Sequence, residues 1–67
     1  MITIIYNGAE RTITAETNLA EYLASLNLAR PGVAVEYNGT VIPRSGLAEC
    51  VLRDGDRLEV VTLVGGG

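Results

Sequence analysis

Sixty-seven residues admit one domain, near the size at which a hydrophobic core only just outweighs chain entropy. A net charge of −3, the lack of any lysine, and arginines scattered at Arg11, Arg30, Arg44, Arg53 and Arg57 argue against nucleic acid or an anionic membrane surface as a partner. A single cysteine, Cys50, and no histidine rule out a disulfide framework and a zinc site. In the apolar stretch Cys50-Val51-Leu52 the thiol reads as a small core hydrophobe. Met1 leads straight into an alternating segment, with no basic start, apolar signal core or run of membrane-spanning length, so a soluble cytoplasmic domain is expected.

Residues 2–6 are rich in β-branched side chains, and Asn7-Gly8 supplies the positive-φ positions of a tight hairpin turn. The partner strand is expected at about 10–14. The strand period of two puts Ile2, Ile4 and Tyr6 on the core face and leaves Thr3 and Ile5 on the other.

Over 18–28 the period changes, with Leu19, Leu23 and Leu26 forming a helical stripe flanked by Tyr22. Asn18 with Glu21 three residues on resembles a capping pair, Thr17 is an alternative cap, and Arg30-Pro31-Gly32 closes the segment. Residues 33–37 read as a strand, Asn38-Gly39 repeats the turn signal, and Thr40-Val41-Ile42 returns until Pro43 ends the pairing.

Residues 44–53 connect, with Ser45 as cap of a short helical turn over 46–48 and with Val51 and Leu52 closing the open side of the core. Asp54-Gly55-Asp56 turns the chain into a last strand at about 57–63. The two aspartates lack the further ligands a cation loop needs. Glu36 and Glu59 read as solvated strand faces.

Two strands, a helix and more strands define an α+β architecture. We expect a β-grasp, a mixed sheet of four to five strands with one main helix packed across one face and a flexible C-terminal tail. A right-handed crossover then sets the final strand beside the first, in parallel, at the centre of the sheet. The folded domain is expected to span 1–63, and 64–67 to form a glycine tail on a rigid base. Four extended residues reach roughly 13–14 Å, enough to carry a carboxylate into another protein's cleft.

Catalytic machinery is missing from this chain: no histidine, no lysine, no phosphate-cradling glycine loop, no paired acids at a catalytic spacing. The expectation is therefore a protein that is not itself an enzyme, with the α-carboxylate of Gly67 as its reactive group. A carboxylate is a poor acyl donor until it attacks a nucleotide α-phosphate to form an acyl adenylate, and the nucleotide, Mg²⁺ and machinery would come from another protein. Gly65 and Gly66 suit a narrow partner channel, because they carry no side chain. With Leu58, Val60 and Thr62 inward, Val61 and Leu63 face out, and together with Ile5 and Val64 they are expected to form an apolar recruiting patch rimmed by Arg57, Arg44 and Glu59.

In order and spacing, the strand ending Tyr6-Asn7-Gly8, the helix around Leu19 to Leu26, the segment from Asn38-Gly39 through Ile42-Pro43-Arg44, and the run from Leu52 to Val61 before the glycines resemble the ThiS/MoaD family of ubiquitin-like sulfur carriers. The resemblance covers essentially the whole chain and lies nearest the thiamine-thiazole branch, ThiS. It implies a ubiquitin-like fold and a terminal Gly-Gly at Gly66 and Gly67. It also implies adenylation of Gly67 by an E1-like adenylyltransferase (ThiF-like) using ATP and Mg²⁺. A cysteine-desulfurase pathway would then supply sulfur for a Gly67 thiocarboxylate, and a thiazole synthase (ThiG-like) would receive it. No cofactor is implied for the chain itself. A MoaD-like carrier for molybdopterin or another sulfur-transfer pathway, a ubiquitin-like modifier conjugated through Gly67, and a non-covalent binding module stay open as alternatives.

Overall fold

The computed structural model describes residues 1–63 of the chain. The expectations attached to Val64, Gly65, Gly66 and Gly67 lie outside the described residues. Strands β1 (Ile2–Tyr6) and β2 (Ala9–Ile13) form an antiparallel hairpin. Asn7 and Gly8 sit at φ 48° and 82°, the left-handed pair that a two-residue hairpin turn demands. Such a turn places Tyr6 opposite Ala9, so β2 starts one residue earlier than expected.

The helix α1 (Leu19–Ser25) is shorter than the expected 18–28. Asn18 caps it, its Oδ1 accepting the Glu21 N–H at 2.8 Å, while Thr17 Oγ1 bonds the Glu21 carboxylate at 3.2 Å instead. At the other end Asn27 turns left-handed at φ 63°. The Leu28 N–H then reaches the Leu23 carbonyl at 2.8 Å and the Asn27 N–H the Ala24 carbonyl at 3.0 Å, the paired bonds that close a helix before any proline is needed. The stop is therefore Asn27 and not Arg30-Pro31-Gly32.

Strands β3 (Val33–Tyr37) and β4 (Thr40–Ile42) pair through a second left-handed Asn-Gly turn, at φ 49° and 87°. A 3-10 helix follows at Arg44–Glu49, then β5 (Arg57–Thr62). Ser45 caps nothing, because this helix begins one residue before it, directly after the extended Pro43.

Sheet order is β2-β1-β5-β3-β4, with β5 central, parallel to β1 and antiparallel to β3. The sheet gives Ile4, Val35, Leu58 and Val60 to the core, α1 gives Leu19, Tyr22 and Leu23, and the connection gives Leu47 and Leu52. Ile2 and Tyr6 pack against this core partly buried, as do Leu26 and Cys50. Val51 does not close the core. Leu19 N–H bonds the Cys50 carbonyl and Leu52 N–H the Thr17 carbonyl, both at 2.8 Å, so residues 50–52 run extended beside the start of α1. Alternation then turns Leu52 inward and leaves Val51 exposed. Among the described residues, no helix is long and apolar enough to cross a membrane.

Candidate functional site

The end of β5 is held on the β1 side as far as Val60 and on the β3 side as far as Leu63, the last described residue. On the β1 side, Ile5 N–H donates to the Asp56 carbonyl at 2.8 Å and Asn7 N–H to the Leu58 carbonyl at 2.9 Å. Backbone pairing with β1 ends there, and the Asn7 side chain continues it: Nδ2 donates to the Val60 carbonyl at 3.0 Å, and Oδ1 accepts the Val60 N–H at 2.7 Å.

On the β3 side the register runs from Tyr37 opposite Leu58 to Val33 opposite Thr62. Asn38 extends it backward, its N–H reaching the Arg57 carbonyl and its Oδ1 accepting the Arg57 N–H, each at 2.8 Å. Leu63 N–H bonds the Gly32 carbonyl at 2.6 Å. Gly32 holds φ 86°, a conformation that side chains other than glycine resist.

Each Asn-Gly turn thus shapes a hairpin and also clamps the central strand. Sequence reasoning treats both asparagines as turn residues only. The left-handed backbone already accounts for asparagine at these positions, so nothing in the pattern signals the second role.

The Asp54-Gly55-Asp56 turn anchors the start of β5. Asp54 Oδ1 accepts the Thr3 N–H at 2.7 Å, and Gly55 N–H donates to the Thr3 carbonyl at 2.8 Å. Asp56 Oδ2 accepts the Tyr37 hydroxyl at 2.6 Å and the Arg53 N–H at 2.8 Å, while its Oδ1 accepts Asn38 Nδ2 at 3.2 Å.

Burial works to raise the Asp56 carboxyl, but these hydrogen bonds, led by that from Tyr37, outweigh it and hold the group below its usual value. The same bond to Asp56, aided by burial, pushes Tyr37 up to about 12. The Tyr37 contribution to stability is therefore complete below its unfolded value of 10.0 and lost as pH rises toward about 12. That of Asp56 is present above 3.8 and lost as pH falls through its depressed folded value. In urea unfolding followed across pH, Tyr37→Phe is expected to cost about 1–2 kcal/mol near neutrality. Its stability should also fall less than that of the parent between pH 10 and about 12. Equal alkaline slopes in the two proteins would contradict the assignment.

On the sheet face away from the helix, Val61 is 56% and Leu63 72% exposed, while Leu58 and Val60 are buried beneath. Thr62 does not point into the core. It pairs with Val33 at the end of the sheet, past the buried row, and is exposed. The register also corrects the neighbourhood of Ile5, which stands beside Arg57. Val61 lies four residues further along β5, about 13 Å at strand spacing.

Instead, Val61 sits opposite Ala34 and joins Val41 in a groove of about 130 Å³. Its charged lining is Glu36 and Glu59, directly opposite each other across β3 and β5. Like charges so placed repel, which makes this an acidic rim. Arg44 is not part of that rim; it lines a different pocket, with Leu47 and Leu23 of the core.

A five-stranded mixed sheet with β5 at its centre and one helix across one face is the ubiquitin-like β-grasp. Within that class the chain belongs to the ThiS family, whose profile matches residues 4–67. The crystal structure of the thiamine biosynthesis protein ThiS from Geobacter metallireducens superposes with a TM-score of 0.83 at 32% identity, covering 98% of this chain and all of that one. The sulfur carrier protein ThiS of Escherichia coli is 27% identical over 64 residues, 96% of this chain and 97% of its own. A thiazole synthase of Paramagnetospirillum magneticum is 38% identical over 96% of this chain, and one of Magnetococcus marinus is 39% identical over 91%. This chain spans only about a fifth of the length of those two synthases, 20% and 19%.

Proposed function

We propose that this chain is the sulfur carrier of thiazole formation in thiamine biosynthesis, acting as a cosubstrate of partner enzymes in the cytoplasm. A Gly67 carboxylate oxygen attacks the α-phosphate of ATP on an E1-like adenylyltransferase. The new acyl–phosphate bond forms as pyrophosphate leaves. A persulfide fed by a cysteine-desulfurase pathway then displaces AMP to form an acyl disulfide, and a partner thiol attacks its S–S bond, forming a disulfide and releasing a thiocarboxylate whose sulfur passes to a thiazole synthase. ATP and Mg²⁺ belong to the activating partner, and this chain contributes the acyl group and its placement. Gly65 and Gly66 thread the partner's site, and Val61, Leu63 and Val64 contact its surface, with Ile5 as a separate apolar contact beside Arg57.

The observation that carries this reading is the clamping of β5, in a ThiS-family chain, up to Leu63 just before Val64-Gly65-Gly66-Gly67. Homologous stretches within thiazole synthases support that enzyme as the acceptor. The test is reconstituted thiazole formation with a chain lacking Gly66 and Gly67, or ending in an amide. Product should disappear in both cases. Product at the parent rate from either would overturn the carrier reading.

A further inference from the structure

On the helix side of the molecule, the last turn of α1, the loop after it and the 3-10 helix enclose a second pocket of about 130 Å³. Its apolar lining includes Leu23, Leu28, Val33 and Leu47, and among the described residues its charged lining is Arg30 and Arg44. The pocket exists because Asn27 ends the helix early and folds Leu28 back to the Leu23 carbonyl.

Arg30 is steered at the rim by the 3.3 Å bond from its Nε to the Asn27 carbonyl. Among the described residues the one ion pair is Arg53 with Glu16, so neither rim arginine is matched by a carboxylate. A chain of net charge −3 thus carries a locally cationic, apolar-floored depression.

Size decides the class of occupant. Pockets for nucleotides and other small molecules run from roughly 300 Å³ upward, whereas about 150 Å³ accommodates a benzene-sized group. This pocket takes one side chain. Guanidinium groups favour carboxylates, with which they make forked, charge-assisted bonds.

We propose that this pocket docks a partner protein's segment in which an aliphatic side chain stands next to an aspartate or glutamate, the apolar group filling the pocket and the carboxylate meeting Arg30 and Arg44. The site adjoins the chain's exit. Val33 pairs with Thr62, and the neighbouring Gly32 carbonyl holds the Leu63 N–H. A partner seated there is positioned at the base of the glycine segment on the face opposite Val61, and its charge preference is the reverse of that of the Glu36–Glu59 groove. This inference does not depend on the sulfur chemistry, and its test leaves the carrier reading untouched.

The test is an NMR titration of the full chain with a capped peptide alternating leucine and glutamate. The same peptide with glutamine for glutamate, acetate, and inorganic phosphate serve as separate arms. The expected result is saturable shifts at the methyls of Leu23, Leu28, Val33 and Leu47 and at the Arg30 and Arg44 Nε–H groups. Binding should be at least tenfold weaker for the glutamine peptide, and for an Arg30→Glu/Arg44→Glu variant whose spectrum otherwise shows the parent fold.

Equal binding of the two peptides, shifts produced equally by acetate or phosphate, shifts confined to the Val41–Val61 groove, or no shifts would each overturn the proposal. So would shifts of the pocket signals with the protein's own concentration, which would identify a second copy as the occupant. Peptide binding that appears only after residues 64–67 are removed would identify the chain's own end, and would equally overturn it.

Discussion

Gly66→Ala is expected to slow ATP-dependent adenylation of this chain by about 100-fold while leaving its unfolding midpoint unchanged. The two effects separate because they draw on different parts of the chain. Among the described residues the buried core runs from Ile4 to Val60, so the unfolding midpoint is expected to be set there and not by residue 66. Adenylation requires the carboxylate to arrive in line with the α-phosphate, and a misplacement of about 1 Å is enough for a loss of that size. On the proposed function, a methyl on residue 66 would impose such a misplacement where a partner's channel closes around bare backbone. Pyrophosphate release measured against wild type, with urea unfolding of both proteins, checks the two halves. An unchanged adenylation rate would remove the channel argument.

Asn7→Ala is expected to cost about 2–4 kcal/mol, from alanine at a left-handed position and from the unmatched Val60 N–H and carbonyl. A domain of this size has a total stability of roughly 3–10 kcal/mol, so the loss is a large share of the whole and the urea midpoint of the variant should fall well below that of wild type. Asn7→Gly relieves the backbone cost and keeps the loss of both side-chain bonds, and Asn7→Asp retains the acceptor for the Val60 N–H. The expected order of stability is wild type, then aspartate and glycine, then alanine. Faster hydrogen exchange at Val60 should accompany the loss in the glycine variant. A glycine variant as stable as wild type would mean that the side-chain clamp on β5 contributes nothing.

What could be read without coordinates follows from how local each signal is. Tyr6-Asn7-Gly8-Ala9 and Tyr37-Asn38-Gly39-Thr40 declare their own turns, and alternation around Ile4, Val35, Leu58 and Val60 declares the buried face. The Asn18 cap and the Leu19–Leu23 stripe are equally local, and the parallel placement of β5 beside β1 followed from element order.

Local signals fall short where long-range geometry decides. Asn27 stops α1 through a left-handed backbone that asparagine permits but does not require. Val51 and Leu52 exchange roles because a backbone bridge to Asn18 sets their alternation. Strand order without register leaves an offset of several residues open, so element order alone does not separate Ile5 from Val61. The register sets Ile5 at Arg57 and hands its place to Ala34 and Val41. Arg44, expected at the rim of that patch, lies in the other pocket, since the 3-10 helix carries it to the opposite side of the sheet.

In the proposed function the Gly67 carboxylate is the group on which the chemistry happens. The most direct test is the intact mass of this chain after coexpression with an E1-like adenylyltransferase and a sulfur source. The expected result is a species in which one oxygen is replaced by sulfur, with the substitution located at Gly67 by fragmentation and lost in the chain lacking Gly66 and Gly67. A mass unchanged under those conditions, or covalent conjugates to other proteins in its place, would contradict it.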